Sequence, residues 1–113
     1  MRTSASLLNA IRQVEERWKE GTRLHKIAAQ YGVDPGNLVR AFRKKHGVTP
    51  KEFIDAKRKE LVLREMKKDG IIGYEIGVMI GMDDLAFYRW VKRAFGKPLI
   101  LLRKEIQRNQ NKV

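Results

Sequence analysis

Cysteine is absent from the 113 residues, which excludes a disulfide framework, a thiolate metal site and every zinc-finger fold. A reducing intracellular setting is the simplest reading. Histidine is nearly as scarce. His25 and His46 fall in different elements with no third ligand near them, so no metal site is expected. Neither has a nucleophile partner, the chain lacks a paired-carboxylate arrangement, and Gly70, Gly73 and Gly77 follow no strand that would make them a phosphate-cradling loop. No enzyme and no cofactor are therefore expected. Long apolar runs are missing too. No stretch approaches the roughly 20 apolar residues of a membrane span, and MRTSASLLNAIRQVEERWKE has no signal-peptide apolar region, so the expectation is a cytoplasmic, nucleoid-associated protein with no membrane contact.

Acidic residues are few: 13 Asp and Glu against 25 Lys and Arg, a formal net charge of +12 on a chain that is 42% hydrophobic. That combination describes a folded protein with a polyanionic partner. Ribosomal and membrane-surface proteins share such a charge, so the patterning must decide.

Strand-type alternation does not occur, whereas apolar residues recur at helical spacing almost everywhere. The expected class is all-α, with about seven helices. Leu7, Ile11, Val14 and Trp18 form one stripe, which Ser4 or Ser6 can cap and Gly21 closes. Arg23 to Gln30 reads as a short helix with Leu24, Ile27 and Ala28 inward, followed by the turn Tyr31-Gly32-Val33. Asp34-Pro35 restarts the chain, Asp as cap and Pro at the first position, in a helix with Leu38 and Phe42 inward that Gly47 ends. Thr49-Pro50-Lys51-Glu52 carries a capping box, and the long helix it opens is predicted to reach about Lys68, before Asp69-Gly70. Expected divisions are residues 1–49, a linker helix over 50–69, and residues 70–113.

The chain repeats itself at an offset of 49 residues, from Ile27-Ala28 to Ile76-Gly77. Gly32 returns as Gly81, Asp34 as Asp83, Leu38 as Phe87, Arg40 as Arg89, Phe42 as Val91, Arg43-Lys44 as Lys92-Arg93, and Gly47 as Gly96. A helix, a tight glycine turn and a second helix with basic residues toward its end describe a helix-turn-helix, whose second helix enters the major groove. Two copies imply two grooves. A linker of about 18 to 20 residues extends roughly 27 to 30 Å at ~1.5 Å per residue, near the ~34 Å between successive groove faces.

The run LHKIAAQYGVDPGNLVRAFRKKHGVTPKEFIDAKRKEL resembles the first helix-turn-helix unit of the AraC/XylS-type transcription regulators. It has the turn glycine, the Leu-x-x-x-Phe-basic-basic core and the Gly-x-Thr-Pro that follows. IIGYEIGVMIGMDDLAFYRWVKRAFGKPLILLRKE is similar to the second unit more loosely. Met82 and Val91 stand where phenylalanine is usual, Lys97-Pro98 lacks the usual threonine, and the turn into the second recognition helix reads as one residue short for the family. The resemblance implies a sequence-specific double-stranded-DNA-binding transcription regulator, with recognition helices of about 35–46 and 84–95 in successive major grooves. RNA polymerase is a further candidate partner. With no effector or dimerisation domain in view, the expectation is a short stand-alone member that binds DNA as a monomer.

Base contacts are assigned by position on the two recognition helices. Arg40 and Arg89 each lie two residues after an inward Leu38 or Phe87, at a position the family uses for base contact, and each can pair bidentately with guanine for ~1 to 3 kcal/mol of discrimination. Gly36 and Val39 share the first reading face with little hydrogen-bonding capacity, while Leu85 and Ala86 suit a thymine methyl. Asp84 is read as a first-turn acid favoured by the helix dipole. Asn37, Arg43, Lys44, Lys51, Lys92 and Arg93 are assigned to phosphates. Trp18 is expected in or near the core, Trp90 stays open between core and a contact with sugar or another surface, and Leu99 to Leu102 are expected to pack mostly under the second unit. Two other functions fit the charge. An architectural protein of a plasmid, phage or integrative element suits the looser second unit, and an RNA-binding protein leaves the repeat without a reason.

Overall fold

The computed structural model describes residues 4–110, which form seven α-helices and one 3-10 turn, with no strand among the described residues. In chain order these are α1 (Ala5–Arg17), the turn Trp18–Glu20, α2 (Leu24–Gln30), α3 (Pro35–His46), α4 (Pro50–Glu65), α5 (Gly73–Met79), α6 (Asp84–Phe95) and α7 (Leu99–Gln110). None is long and apolar enough to cross a membrane. The chain divides into two compact units, one up to Ala56 and the other from Lys57, so the change of unit falls inside α4.

In the first unit, α1, α3 and α4 start where a side chain can accept a free amide, whereas α2 follows Arg23 with no side-chain cap. Ser4 Oγ takes the Leu7 N–H at 3.1 Å and Asp34 Oδ2 takes the Asn37 N–H at 3.0 Å, with Pro35 at a position that needs no donor. Thr49 Oγ1 accepts the Glu52 N–H at 3.2 Å and gives its own proton to the Glu52 carboxylate at 3.0 Å, which opens α4. Ala10, Ile11, Val14, Ile27, Ala28, Leu38 and Phe42 form the core, flanked by Leu7, Leu24, Phe53 and Ile54. Each of the larger side chains contributes roughly 1.5 to 3 kcal/mol by leaving water. Trp18 is half-buried, with the Lys19 ammonium 5.6 Å from its ring centroid.

The second unit repeats the plan. Asp83 Oδ1 caps α6 by accepting the Ala86 N–H at 2.8 Å, and the buried residues include Leu61, Val62, Met66, Ile71, Ile76, Ile80, Phe87, Trp90, Val91, Leu99 and Leu102. The two turns match in length and bonding. Val33 N donates to Ala28 O at 2.9 Å, Met82 N donates to Gly77 O at 2.9 Å, and the glycines between have φ of 65° and 72°. The second turn is therefore no shorter than the first.

Three local expectations change. Regular helix ends at Glu65, short of Lys68, because the Lys67 and Lys68 amides bond three residues back, to Arg64 O and Glu65 O, in a tightening turn before Gly70. Only half of the Leu99–Leu102 run packs inward. Leu99 and Leu102 lie one turn apart on the buried side, while Ile100 and Leu101 are 64% and 51% exposed. Trp90 is a core residue, 4% exposed and edge-on to Phe95 at 6.0 Å, which removes the reading in which it touches sugar.

Candidate nucleic-acid interface

A helix turns about 100° per residue, so burying one stripe of α3 decides what its other side presents. Leu38 and Phe42 are fully buried. Opposite them stand Gly36, Arg40 and Arg43, flanked by Asn37 and Lys44 on one side and Val39 on the other. Asn37, Arg40, Arg43 and Lys44 are exposed, and Gly36 and Val39 are half-buried. Lys51, also exposed, belongs to a different helix, in the first turn of α4.

On α6 the buried stripe is Phe87, Trp90 and Val91. It leaves Leu85, Arg89 and Lys92 on the opposite side, with Ala86 and Arg93 beside them, all exposed. Asp84 sits in the first turn, where its charge meets the positive end of the helix. Six basic residues of the two outer faces thus fall at matching places, Arg40 with Arg89, Arg43 with Lys92 and Lys44 with Arg93.

One residue of this face escaped the sequence reading. Tyr88, 45% exposed, occupies the place in α6 that Val39 occupies in α3. The repeat offset pairs the two, so the signal was available once Val39 had been singled out. Tyr88 is seated by a glycine. A Cβ at Gly73 would lie 3.1 Å from Tyr88 Oη and 2.7 Å from Leu99 Cδ2, so the bare backbone at the start of α5 makes room for the phenol.

Not every cation near α3 is available. Lys45 Nζ lies 2.9 Å from Glu15 Oε2 and His46 Nε2 lies 2.7 Å from the same oxygen, tying the end of α3 to α1. Partial burial works against the charged form of Glu15, but hydrogen bonds and charge from Lys45 and His46 outweigh it and hold the carboxyl below its ordinary range. His46 also stacks on Phe42, with centroids 4.3 Å apart. Arg40 is held differently. Its Nη2 donates to Asn37 Oδ1, and its guanidinium lies over Gly36.

Residues 14–55, from Val14 in α1 to Asp55 in α4, match the family model described as bacterial regulatory helix-turn-helix proteins, AraC family. This segment is similar to an AraC-family helix-turn-helix. Solved structures extend the likeness beyond it. The C-terminal domain of AraT, a response regulator from Geobacillus stearothermophilus, is 19% identical with a TM-score of 0.70, over 96% of this chain and 88% of that one. The C-terminal domain of the two-component response regulator yesN from Fusobacterium nucleatum is 19% identical with a TM-score of 0.68, over 92% and 99%. The DNA-binding domain of the global transcriptional factor AdpA, solved with a target DNA, is 17% identical with a TM-score of 0.71, over 97% and 100%. No curated protein matches in sequence. The AraC-family match thus covers the first helix-turn-helix, and the second shares its fold with these domains.

Proposed function

We propose that the chain is a transcription regulator that binds double-stranded DNA by laying α3 and α6 each in a major groove. The observation that carries this reading is the doubled arrangement: two capped helices follow two glycine turns of equal length with the same closing bond, and each turns an exposed basic face away from its own core. The AraC-family match of the first unit and the likeness to a domain solved on DNA support it.

In this reading Arg40 and Arg89 supply bidentate contacts to guanine. Val39 and Gly36 let α3 approach the base edges closely, while Leu85, Ala86 and the newly found Tyr88 give α6 an apolar reading surface suited to thymine methyls. Arg43, Lys44, Lys51, Lys92 and Arg93 neutralise phosphates and supply affinity that does not depend on sequence. A second reading, an architectural role, is favoured by the scarcity of polar readers on both helices, since one guanidinium on each leaves little hydrogen-bonded discrimination.

Selection of bound sequences from a random duplex pool tests the reading, with the selected duplex then competed against scrambled DNA and against RNA of equal length at fixed salt. A regulator yields an asymmetric site with two short blocks and prefers it over both competitors. Recovery of no consensus, with RNA competing as well as DNA, rejects the reading.

A further inference from the structure

We infer that Asn37 is a positioning residue for Arg40 and presets that arginine for reading a base, in place of the phosphate contact that Asn37's position on the helix first suggests. The inference rests on the reading of α3 as a recognition helix.

The geometry is local to the first turn and a half of α3. Asp34 Oδ2 accepts the Asn37 backbone N–H at 3.0 Å, which fixes the backbone from which the Asn37 side chain springs. Asn37 Oδ1 then accepts a hydrogen bond from Arg40 Nη2, one turn further along. The guanidinium passes over Gly36, where a Cβ would meet Arg40 Nη1 at 3.4 Å and Nη2 at 3.8 Å in ordinary contact, and would press only on the cap, 2.9 Å from Asp34 Oδ2.

The consequence follows from the donor inventory of arginine. A guanidinium has five N–H donors, of which Asn37 uses one, and a bidentate contact to guanine O6 and N7 needs only two. A free arginine loses rotamer freedom when it binds, whereas one already held by a neighbour has less to lose. The second unit lacks the device, because Ala86, with no acceptor, stands in the place of Asn37. The block read through Arg40 is therefore the more sharply discriminated of the two.

The test measures binding of the full chain and its Asn37→Ala, Asn37→Asp and Arg40→Ala variants to the selected duplex. Duplexes substituted at each base pair of the Arg40 block, and scrambled DNA, are titrated alongside. Asn37→Ala should keep its melting temperature, because the amide that Asp34 caps belongs to the backbone. It should lose discrimination at the Arg40 base pair on the order of three- to tenfold, with affinity for scrambled DNA unchanged. Asn37→Asp keeps an acceptor and should restore the discrimination ratio. If Asn37→Ala weakens all duplexes equally and leaves the ratio intact, Asn37 is a backbone contact and the inference is overturned, although base reading by Arg40 stands. If the unaltered protein shows no discrimination that depends on Arg40, the recognition-helix reading fails first and takes the inference with it.

Discussion

Phe87 takes in the second unit the place that Leu38 holds in the first, and the small residue of the preceding helix shrinks from Ala28 to Gly77. A Cβ at Gly77 would lie 3.2 Å from Phe87 Cβ and 3.2 Å from Met82 O, both stiff neighbours. Gly77→Ala should therefore destabilise the protein by ~1 kcal/mol, since overpacking costs about 1 to 3 and helix propensity returns about 1. Phe87→Leu alone leaves a void and also destabilises. Leucine keeps the Cβ that Gly77→Ala would crowd and leaves Met82 O in place, so the double variant should lose about the sum of the two single losses, read from urea midpoints at unchanged m. A double variant much more stable than that sum would contradict the assignment of the clash to these two atoms. The repeat makes the two pairs visible in sequence, but not which atoms meet.

Helices announce their ends in sequence where one residue does the work, and are opaque where several share it. Asp34 and Asp83 as caps, and Gly47 and Gly96 as terminators, were legible, and Ser4 was one of two candidates with Ser6. The end of α4 was not, because its apolar spacing runs on to Met66 while the backbone is already tightening. The tie between α1 and α3 was equally hidden: periodicity tells which face of a helix is apolar, not that Glu15 will meet His46, 31 residues away. That tie gives the first unit a pH dependence. The Glu15 carboxyl is held below its ordinary range when folded, so its contribution is complete above that range and is lost as pH falls through the folded value. Glu15→Gln should lower stability by ~0.5 to 1 kcal/mol near neutral pH and by progressively less under acid, checked by thermal melts across pH 3 to 7. A difference that stays constant with pH would contradict the assignment.

For the molecule as a whole, the charge of +12 says less than where the charge lies. Lys45 is committed to Glu15 and Lys97 to Glu105, whereas Arg43, Lys44, Lys92 and Arg93 stand exposed on the two outer helix faces. With Lys51 they make five candidate phosphate partners, so the slope of log K against log salt should be about −4 to −5, far shallower than the net charge suggests. Lys44→Ala should reduce that slope by about 0.9 and weaken all sequences alike, measured by anisotropy titrations from 50 to 300 mM salt. A Lys44→Ala slope equal to that of the unaltered protein would remove Lys44 from the interface. At this scale the all-helical class and the doubled unit were readable from an offset of 49 residues, since fold follows from the burial pattern. The outer faces of α3 and α6 were only partly readable, because the seating of Tyr88 and the tie of Arg40 depend on neighbours, Gly73 and Asn37, that periodicity does not weigh.

If two helices of one chain each read their own stretch of DNA, a binding matrix separates them: the unaltered protein, Arg40→Ala and Arg89→Ala against the selected duplex and against duplexes with one block or the other scrambled. Each variant should become indifferent to one block only, a different block for each, while still discriminating at the other. Equal weakening of both variants on every duplex, scrambled DNA included, would contradict separate reading.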